Sequence, residues 1–387
     1  MKIEGNNEFV LVTGGTGFVG GHCILQLLQK GYRVKTTVRS LTKKDDVFNM
    51  LKAGGITSFE NLECVEADLS SDDNWNEAVS GCNYVLHVAS PIGLSIPKTA
   101  DEMVRPAVDG TLRVLKAARD AGVKRVVMTS NFGAVGYSHK NPETLITEES
   151  WTDPNEKGLS IYNKSKVLAE HAAWDFIKRE GDNLELTVIN PVAIFGPSFS
   201  EKLSSGFELL KNMMDGTMKA IPKMELAIVD VRDLADLHIR AMESSEAKGQ
   251  RFLALSGGVM TLPEIAQFLK RKMPGATANM SSKVLPDWLV RLTALFNDKA
   301  KAIAPMLGVN RKASNEKAKR VLGWQPRSNE EALLASADSL VKYGVVKNNT
   351  TNVVGKNNDN DFACAISFCN REGLCTRNFS DGKRYCY

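Results

Sequence analysis

Tyr162 and Lys166 stand four residues apart in Tyr162-Asn-Lys-Ser-Lys166, a spacing that projects both side chains from one face of a helix. The chemistry this pair suits is proton transfer to a carbonyl oxygen. A free phenol, with a pKa near ~10, is a poor acid–base at neutral pH, and an adjacent ammonium stabilises its phenolate. The spacing alone means little, because Tyr343 and Lys347 share it at the edge of a polar stretch with no site around them. Position decides between the two pairs. The chain opens on Phe9-Val-Leu-Val12, too short for a helix and rich in β-formers, and runs into Gly14, Gly15, Gly17 and Gly20 before the helical pattern Ile24, Leu25, Leu27, Leu28. A strand, a glycine turn and a helix in that order make a dinucleotide site. Gly14 and Gly15 allow the tight turn, Gly17 admits a pyrophosphate to the backbone, and Gly20 lets helix and strand pack closely. The helix N-terminus, with Thr16, Phe18 and Val19 beside it, then faces the phosphates with unpaired N–H groups.

The elements that position these residues alternate along the chain. After the first helix, Tyr32–Val38 reads as a strand ending at Arg39, where the adenosine ribose of a bound dinucleotide lies. An acid there would hold a ribose 2′-OH. Arg39, with Lys43 and Lys44 nearby, instead suits a 2′-phosphate, which favours NADP(H); a solvated basic turn is the alternative. Leu62–Val65 is a third strand, closing at Asp68-Leu69, where Asp68 either accepts from an adenine amino group or starts a short helix capped by Ser70 or Ser71. Tyr84–Val88 is a fourth, followed by Ala89-Ser90-Pro91, a loop of small residues fit for a nicotinamide ribose. His87 reads as a satisfied core histidine rather than an acid–base. An amphipathic helix carries Val104, Val108, Leu112, Leu115 and Ala118, and Arg125–Ser130 is the fifth strand. Leu186–Pro191 is the sixth, with Pro191 and Val192 at the cofactor's edge and a turn over 193–197. The pattern is an α/β fold with a doubly wound parallel sheet of the Rossmann type, its ligand at the strands' C-terminal ends.

Residues 1–192 form the expected dinucleotide-binding domain, and 193–344 mainly a smaller substrate-binding lobe, with a return to the first domain near 226–242. The lobe holds a helix over Phe207–Met214, strands at Leu226–Val229 and Arg251–Leu255, and a helix from Val231 to Met242. Further helices open at Thr261 and Ser328, each with a glutamate three residues on as a capping box, and lie near Pro286–Leu295 and Asn315–Leu322. Basic residues between Lys299 and Lys312 read as a solvated face. From Val345 an Asn-rich linker leads to Cys364, Cys369, Cys375 and Cys386, open to reading as an inert extension, a metal site or two disulfides. Cys23, Cys64 and Cys82 read as reduced buried thiols.

With 387 residues, 24% charged and a net charge of +4, the chain calls for neither nucleic acid nor an anionic membrane. Its first residues carry no apolar leader pattern and no run reaches a membrane span, so the expectation is a cytoplasmic enzyme, monomeric or homodimeric, with no metal.

With Thr13-Gly-Gly-Thr-Gly-Phe-Val-Gly20, Ala67-Asp-Leu69, His87-Val-Ala-Ser90, Val108-Asp-Gly-Thr-Leu112, Tyr162-Asn-Lys-Ser-Lys-Val-Leu-Ala-Glu170, Asp230-Val-Arg-Asp233 and Leu322-Gly-Trp-Gln-Pro326, the chain over about 8–344 resembles the extended short-chain dehydrogenase/reductases. More narrowly it is similar to the branch of dihydroflavonol, aldehyde, ketone and methylglyoxal reductases. The resemblance implies an NADPH hydride delivered to a carbonyl carbon, Tyr162 as proton donor, and Lys166 binding the nicotinamide ribose. A serine usually binds the substrate oxygen just past the fifth strand. Here the Thr-Ser-Ser pattern reads Thr129-Ser130-Asn131, placing Asn131 in that role, or Ser130 if the register slips by one. Expected pocket walls are Ser90, Ile92, Phe132, Val135, Tyr137 and the Phe195–Phe207 segment. Two other readings stand beside it: an NAD-dependent sugar epimerase or dehydratase, and a dinucleotide-sensing protein without catalysis.

Overall fold

The computed structural model describes residues 8–91, 99–201, 204–296 and 304–349. Ile92, the basic residues over 299–303 and the four C-terminal cysteines lie outside them. The chain runs β1 (Phe9–Val12), α1 (Phe18–Gln29), β2 (Arg33–Val38), α2 (Lys44–Ala53), β3 (Leu62–Glu66), α3 (Trp75–Val79), β4 (Tyr84–His87), α4 (Asp101–Asp120), β5 (Arg125–Thr129), α5 (Ile161–Glu180) and β6 (Glu185–Pro191). It continues with β7 (Ala193–Phe195), α6 (Ser205–Met214), β8 (Ile221–Pro222), β9 (Glu225–Leu226), β10 (Ile228–Asp230), α7 (Val231–Glu243) and β11 (Arg251–Ala254). Last come β12 (Met260–Thr261), α8 (Leu262–Lys272), β13 (Val284–Leu285), α9 (Asp287–Thr293), α10 (Glu316–Leu322) and α11 (Asn329–Lys342).

Seven strands form a parallel sheet in the order β11-β6-β5-β4-β1-β2-β3. Side chains alternate across it. Val10 and Val12 join Ile24, Leu27, Leu86 and Leu234 on one face, while Leu11 joins Val85, Val114, Leu115 and Phe176 on the other. Both faces are covered by helices, which is why the strands read as continuous apolar runs. The order reverses between β1 and β4, so a crevice opens beyond their C-terminal ends.

A separate apolar cluster gathers Phe195, Phe207, Leu210, Met213, Ile265, Leu269, Leu333 and Leu340. Both expected capping boxes form, Thr261 with Glu264 and Ser328 with Glu331. Asn74, not Ser70 or Ser71, precedes α3, and no side chain caps it. Two expectations are corrected beyond β6. The segment 193–197 is not wholly a turn, since β7 pairs with β10 before Gly196 turns the chain at φ +126°. Arg251–Ala254 is not a strand of the smaller lobe but the outer strand of the main sheet, in register with β6. Val346, which the sequence places in the linker, is buried in the second cluster, and its N–H donates to Leu340 O.

Candidate active site

The glycine turn is built by close approach. Gly14 takes φ +75° and its N–H donates to Thr37 Oγ1 at 2.9 Å, while Gly15 N–H donates to Thr37 O at 3.0 Å. A Cβ on Gly15 would run into the Thr36 hydroxyl, and one on Gly20 into the Gly14 carbonyl. Gly21 N–H is the first to find a helical partner, at Gly17 O; those of Phe18, Val19 and Gly20 have none among the described residues. No side chain caps α1 and no acid stands in its first turn. That end is therefore free to bind an anion, as a dinucleotide's pyrophosphate requires.

A continuous cavity of about 1680 Å³ runs from this turn across the strand ends into the smaller cluster. Gly14, Thr16, Gly17, Phe18, Val19, Arg39, Asp68, Leu69, Val88, Ala89, Ser90, Ser130, Asn131, Tyr162, Lys166, Pro191 and Val192 all line it. Lys44 does not; its ammonium lies 5.2 Å from the Phe48 ring centroid, in the first turn of α2. Arg39 is exposed at the cavity's outer end and has no hydrogen-bond partner among the described residues. Burial pushes the Asp68 carboxyl up, but Ser70 N–H and hydroxyl bonds, with the Arg39 and Arg113 charges, hold it below the usual carboxylate range.

Helix α5 positions the reactive pair. Ser160 caps it, accepting from Asn163 N–H at 3.1 Å, which sets Tyr162 in the first turn and Lys166 one turn further. Lys166 is buried, its Nζ donating to Ser90 Oγ at 3.0 Å and lying 5.8 Å from the Tyr162 ring centroid. Tyr162 is 39% exposed, toward the cavity. Asn131 begins the turn over Phe132–Ala134, and its Oδ1 accepts from Ala134 N–H at 3.2 Å. Ala134 N–H is shared with Asn131 O at 3.1 Å, and the amide so oriented leaves the Nδ2 protons without a partner among the described residues. Ser130 also carries no partner on Oγ, but that atom is fully buried.

Behind this loop lies a buried network that sequence spacing hides. Asn190 Nδ2 donates both to Asn131 O at 3.2 Å and to Glu170 Oε2 at 2.8 Å. Glu170 Oε1 accepts from Arg251 Nε at 2.7 Å. Glu170 continues the four-residue spacing of Tyr162 and Lys166, and this is the one signal that could have marked it. His87 is buried against Thr13 Oγ1 at 3.0 Å, and burial with the nearby Lys166 charge pushes its pKa down to about 3. It is a core histidine, as expected. Two further histidines are locked neutral by burial, both pushed down to about 4: His22 donates to Pro197 O, and His238 bridges Leu234 O and the Thr129 hydroxyl.

The inner end of the cavity is walled by Phe132, Tyr137, Phe195, Leu209, Met224 and Leu226, with Arg291 and Arg311. Val135 and Phe207 do not line it; both are buried, packed into apolar clusters. Arg311 corrects the reading of its neighbourhood as a solvated face, being 8% exposed.

A glycine turn on the first strand, a Tyr–Lys helix after the fifth and one cavity joining them define a Rossmann-type oxidoreductase of the extended short-chain dehydrogenase/reductase class. The chain belongs to the 3-beta hydroxysteroid dehydrogenase/isomerase family, which matches residues 11–254. It is 35% identical to cinnamoyl-CoA reductase 1 of Petunia hybrida over 272 residues, 70% of this chain and 78% of that one. It is 32% identical over 281 residues to a Vitis vinifera anthocyanidin reductase, covering 68% and 80%. Among solved structures it resembles yeast methylglyoxal/isovaleraldehyde reductase Gre2 complexed with NADPH, with TM-score 0.72 and 26% identity over 87% of this chain and 99% of that one. The Candida albicans Gre2–NADPH complex gives TM-score 0.71 and 28% identity over 87% and 99%.

Proposed function

We propose that the protein is an NADPH-dependent carbonyl reductase converting an aldehyde or ketone to its alcohol. The observation that carries this is the single cavity linking a free helix N-terminus and Arg39 to Tyr162, Lys166 and Asn131. Its relatives include a cinnamoyl-CoA reductase and the methylglyoxal/isovaleraldehyde reductase Gre2, and the Gre2 structures hold NADPH. The cradle fits the cofactor: Gly14, Gly17 and Gly20 leave room for a pyrophosphate, and Arg39 offers a guanidinium to a 2′-phosphate. Thr16, Phe18, Val19, Asp68, Leu69, Val88, Ala89, Ser90, Pro191 and Val192 would complete its walls, and Lys44 would stand outside them.

When bound, NADPH supplies the hydride to the carbonyl carbon. The carbonyl π pair moves onto oxygen, and Tyr162 gives that oxygen its phenolic proton. Lys166, anchored on Ser90, favours the resulting phenolate and would hold the nicotinamide ribose. The Asn131 amide, its Oδ1 turned to Ala134 N–H, donates to the oxygen as its negative charge grows. Ser130 Oγ, fully buried, is the less suitable donor. Residues up to 192 would carry the cofactor and 193–344 mainly the substrate, with α7, packed on α1 and the sheet, serving the cofactor side. Steady-state NADPH oxidation with a panel of aldehydes and diketones tests the reading. Alcohol formed in step with NADPH consumed supports it; tight retained NAD with turnover of nucleotide sugars would replace it.

A further inference from the structure

Arg311 is a buried cation without a counter-ion among the described residues. It is only 8% exposed, its Nε has no hydrogen-bond partner, and no carboxylate among the described residues pairs with it. Its guanidinium carbon lies 5.7 Å from the Tyr137 ring centroid. An aromatic face offsets only part of the cost of burying a charge, so a site like this normally holds an anion. Glu156, which also lines the cavity, pairs with Lys140 at 2.7 Å.

The residue is held firmly where it is. Asn310 Nδ2 donates to Asn141 O and Thr144 O, Ile146 N–H donates to Lys312 O, and Ser314 N–H to Ile146 O. These bonds lace 310–314 to the loop over 141–146 and fix the backbone that carries Arg311. Arg311 lines the same cavity as Tyr162, on the side of Tyr137, whose ring lies 6.3 Å from that of Phe132, the residue after Asn131. His139 on this wall also has a buried ring nitrogen, Nε2, with no partner among the described residues.

Resting on the reductase reading, we infer that the substrate carries an anionic group, a carboxylate or a phosphate, docked on Arg311 at the end of the molecule remote from its carbonyl. The guanidinium fork suits either group and discriminates against a neutral chain of equal length. Arg311 is then the residue that selects the substrate, while Tyr162 and Asn131 act on its oxygen.

The test compares 4-oxobutanoate, its methyl ester and 4-oxobutyl phosphate as substrates with saturating NADPH. The wild type should favour an anion over the ester on the order of 10- to 100-fold in kcat/KM, mainly through KM. Whether carboxylate or phosphate leads identifies the source of the charge. Arg311→Met should erase the preference and Arg311→Lys keep part of it. Equal kcat/KM for all three in the wild type, or a preference that survives Arg311→Met, overturns the inference. Calorimetric titration of butanoate and butanamide into NADPH-saturated protein separates this failure from failure of the reductase reading. Butanoate binding lost in Arg311→Met upholds the anion site even where no aldehyde turns over. Equal binding of acid and amide refutes it.

Discussion

Truncating Glu170 tests the buried network most severely. Its carboxylate is fully buried, with Arg251 Nε at 2.7 Å and Asn190 Nδ2 at 2.8 Å. In Glu170→Ala, Arg251 keeps Glu148 O at 2.8 Å, Ser150 O at 2.9 Å and the Trp151 ring at 3.7 Å, but loses the carboxylate it pairs with. A buried ion pair broken at one partner typically costs about 3–5 kcal/mol. Two retained carbonyl bonds place this case toward the lower end. Glu170→Gln keeps the shape but sets an amide N–H₂ against Asn190 Nδ2. Turning the Asn190 amide over relieves that clash and points its oxygen at Asn131 O, two acceptors face to face. The isostere should therefore unsettle the Asn131 loop, costing about 1–3 kcal/mol and lowering kcat more than it raises KM. Urea unfolding followed by circular dichroism, beside NADPH oxidation rates, measures both. A loss below about 1 kcal/mol in Glu170→Ala would show that the carboxylate does not hold Arg251, and the argument would fail.

Three further outcomes follow from the same geometry. Arg39→Ala should narrow the preference for NADPH over NADH by on the order of 10- to 100-fold, and a wild type indifferent to the two cofactors would refute its assignment. Asn131→Ala should lower kcat on the order of 100-fold with a smaller change in KM, while Ser130→Ala is mild; the reverse pattern would make Ser130 the oxygen-binding residue. Burial pushes the His22, His87 and His238 pKa values from 6.5 down to about 4, 3 and 4, so the stability each contributes is fully present above pH 6.5 and is lost as pH falls toward 4, or toward 3 for His87. Each should add a slope of about 1.4 kcal/mol per pH unit in that window, and urea midpoints that fall no less steeply in His238→Gln would contradict its neutral burial.

The glycine turn was legible because backbone demands residue type there: Gly14 needs positive φ, and Gly15 and Gly20 have no room for a Cβ. Tyr162 and Lys166 were legible through helical spacing and their place after β5. Sequence order does not reveal which sheet edge a late strand joins, so Arg251–Ala254 was assigned to the smaller lobe although it extends the main sheet. Gly196 and Pro197 hid the three-residue strand before them. Charge pattern carries no burial, which is why Arg311 read as solvated. The network of Asn131, Asn190, Glu170 and Arg251 joins residues far apart in sequence, and only the folded sheet brings them together.

The central claim, that Tyr162 protonates a carbonyl oxygen reduced at NADPH's expense, is tested most directly by Tyr162→Phe. Only the phenolic oxygen is removed from a side chain already open to the cavity, so the fold and the cofactor cradle remain. NADPH binding, read by fluorescence titration, should stay near that of the wild type while aldehyde-dependent NADPH oxidation disappears. If Tyr162→Phe kept most of its turnover, the proton would come from another group and the account would be wrong.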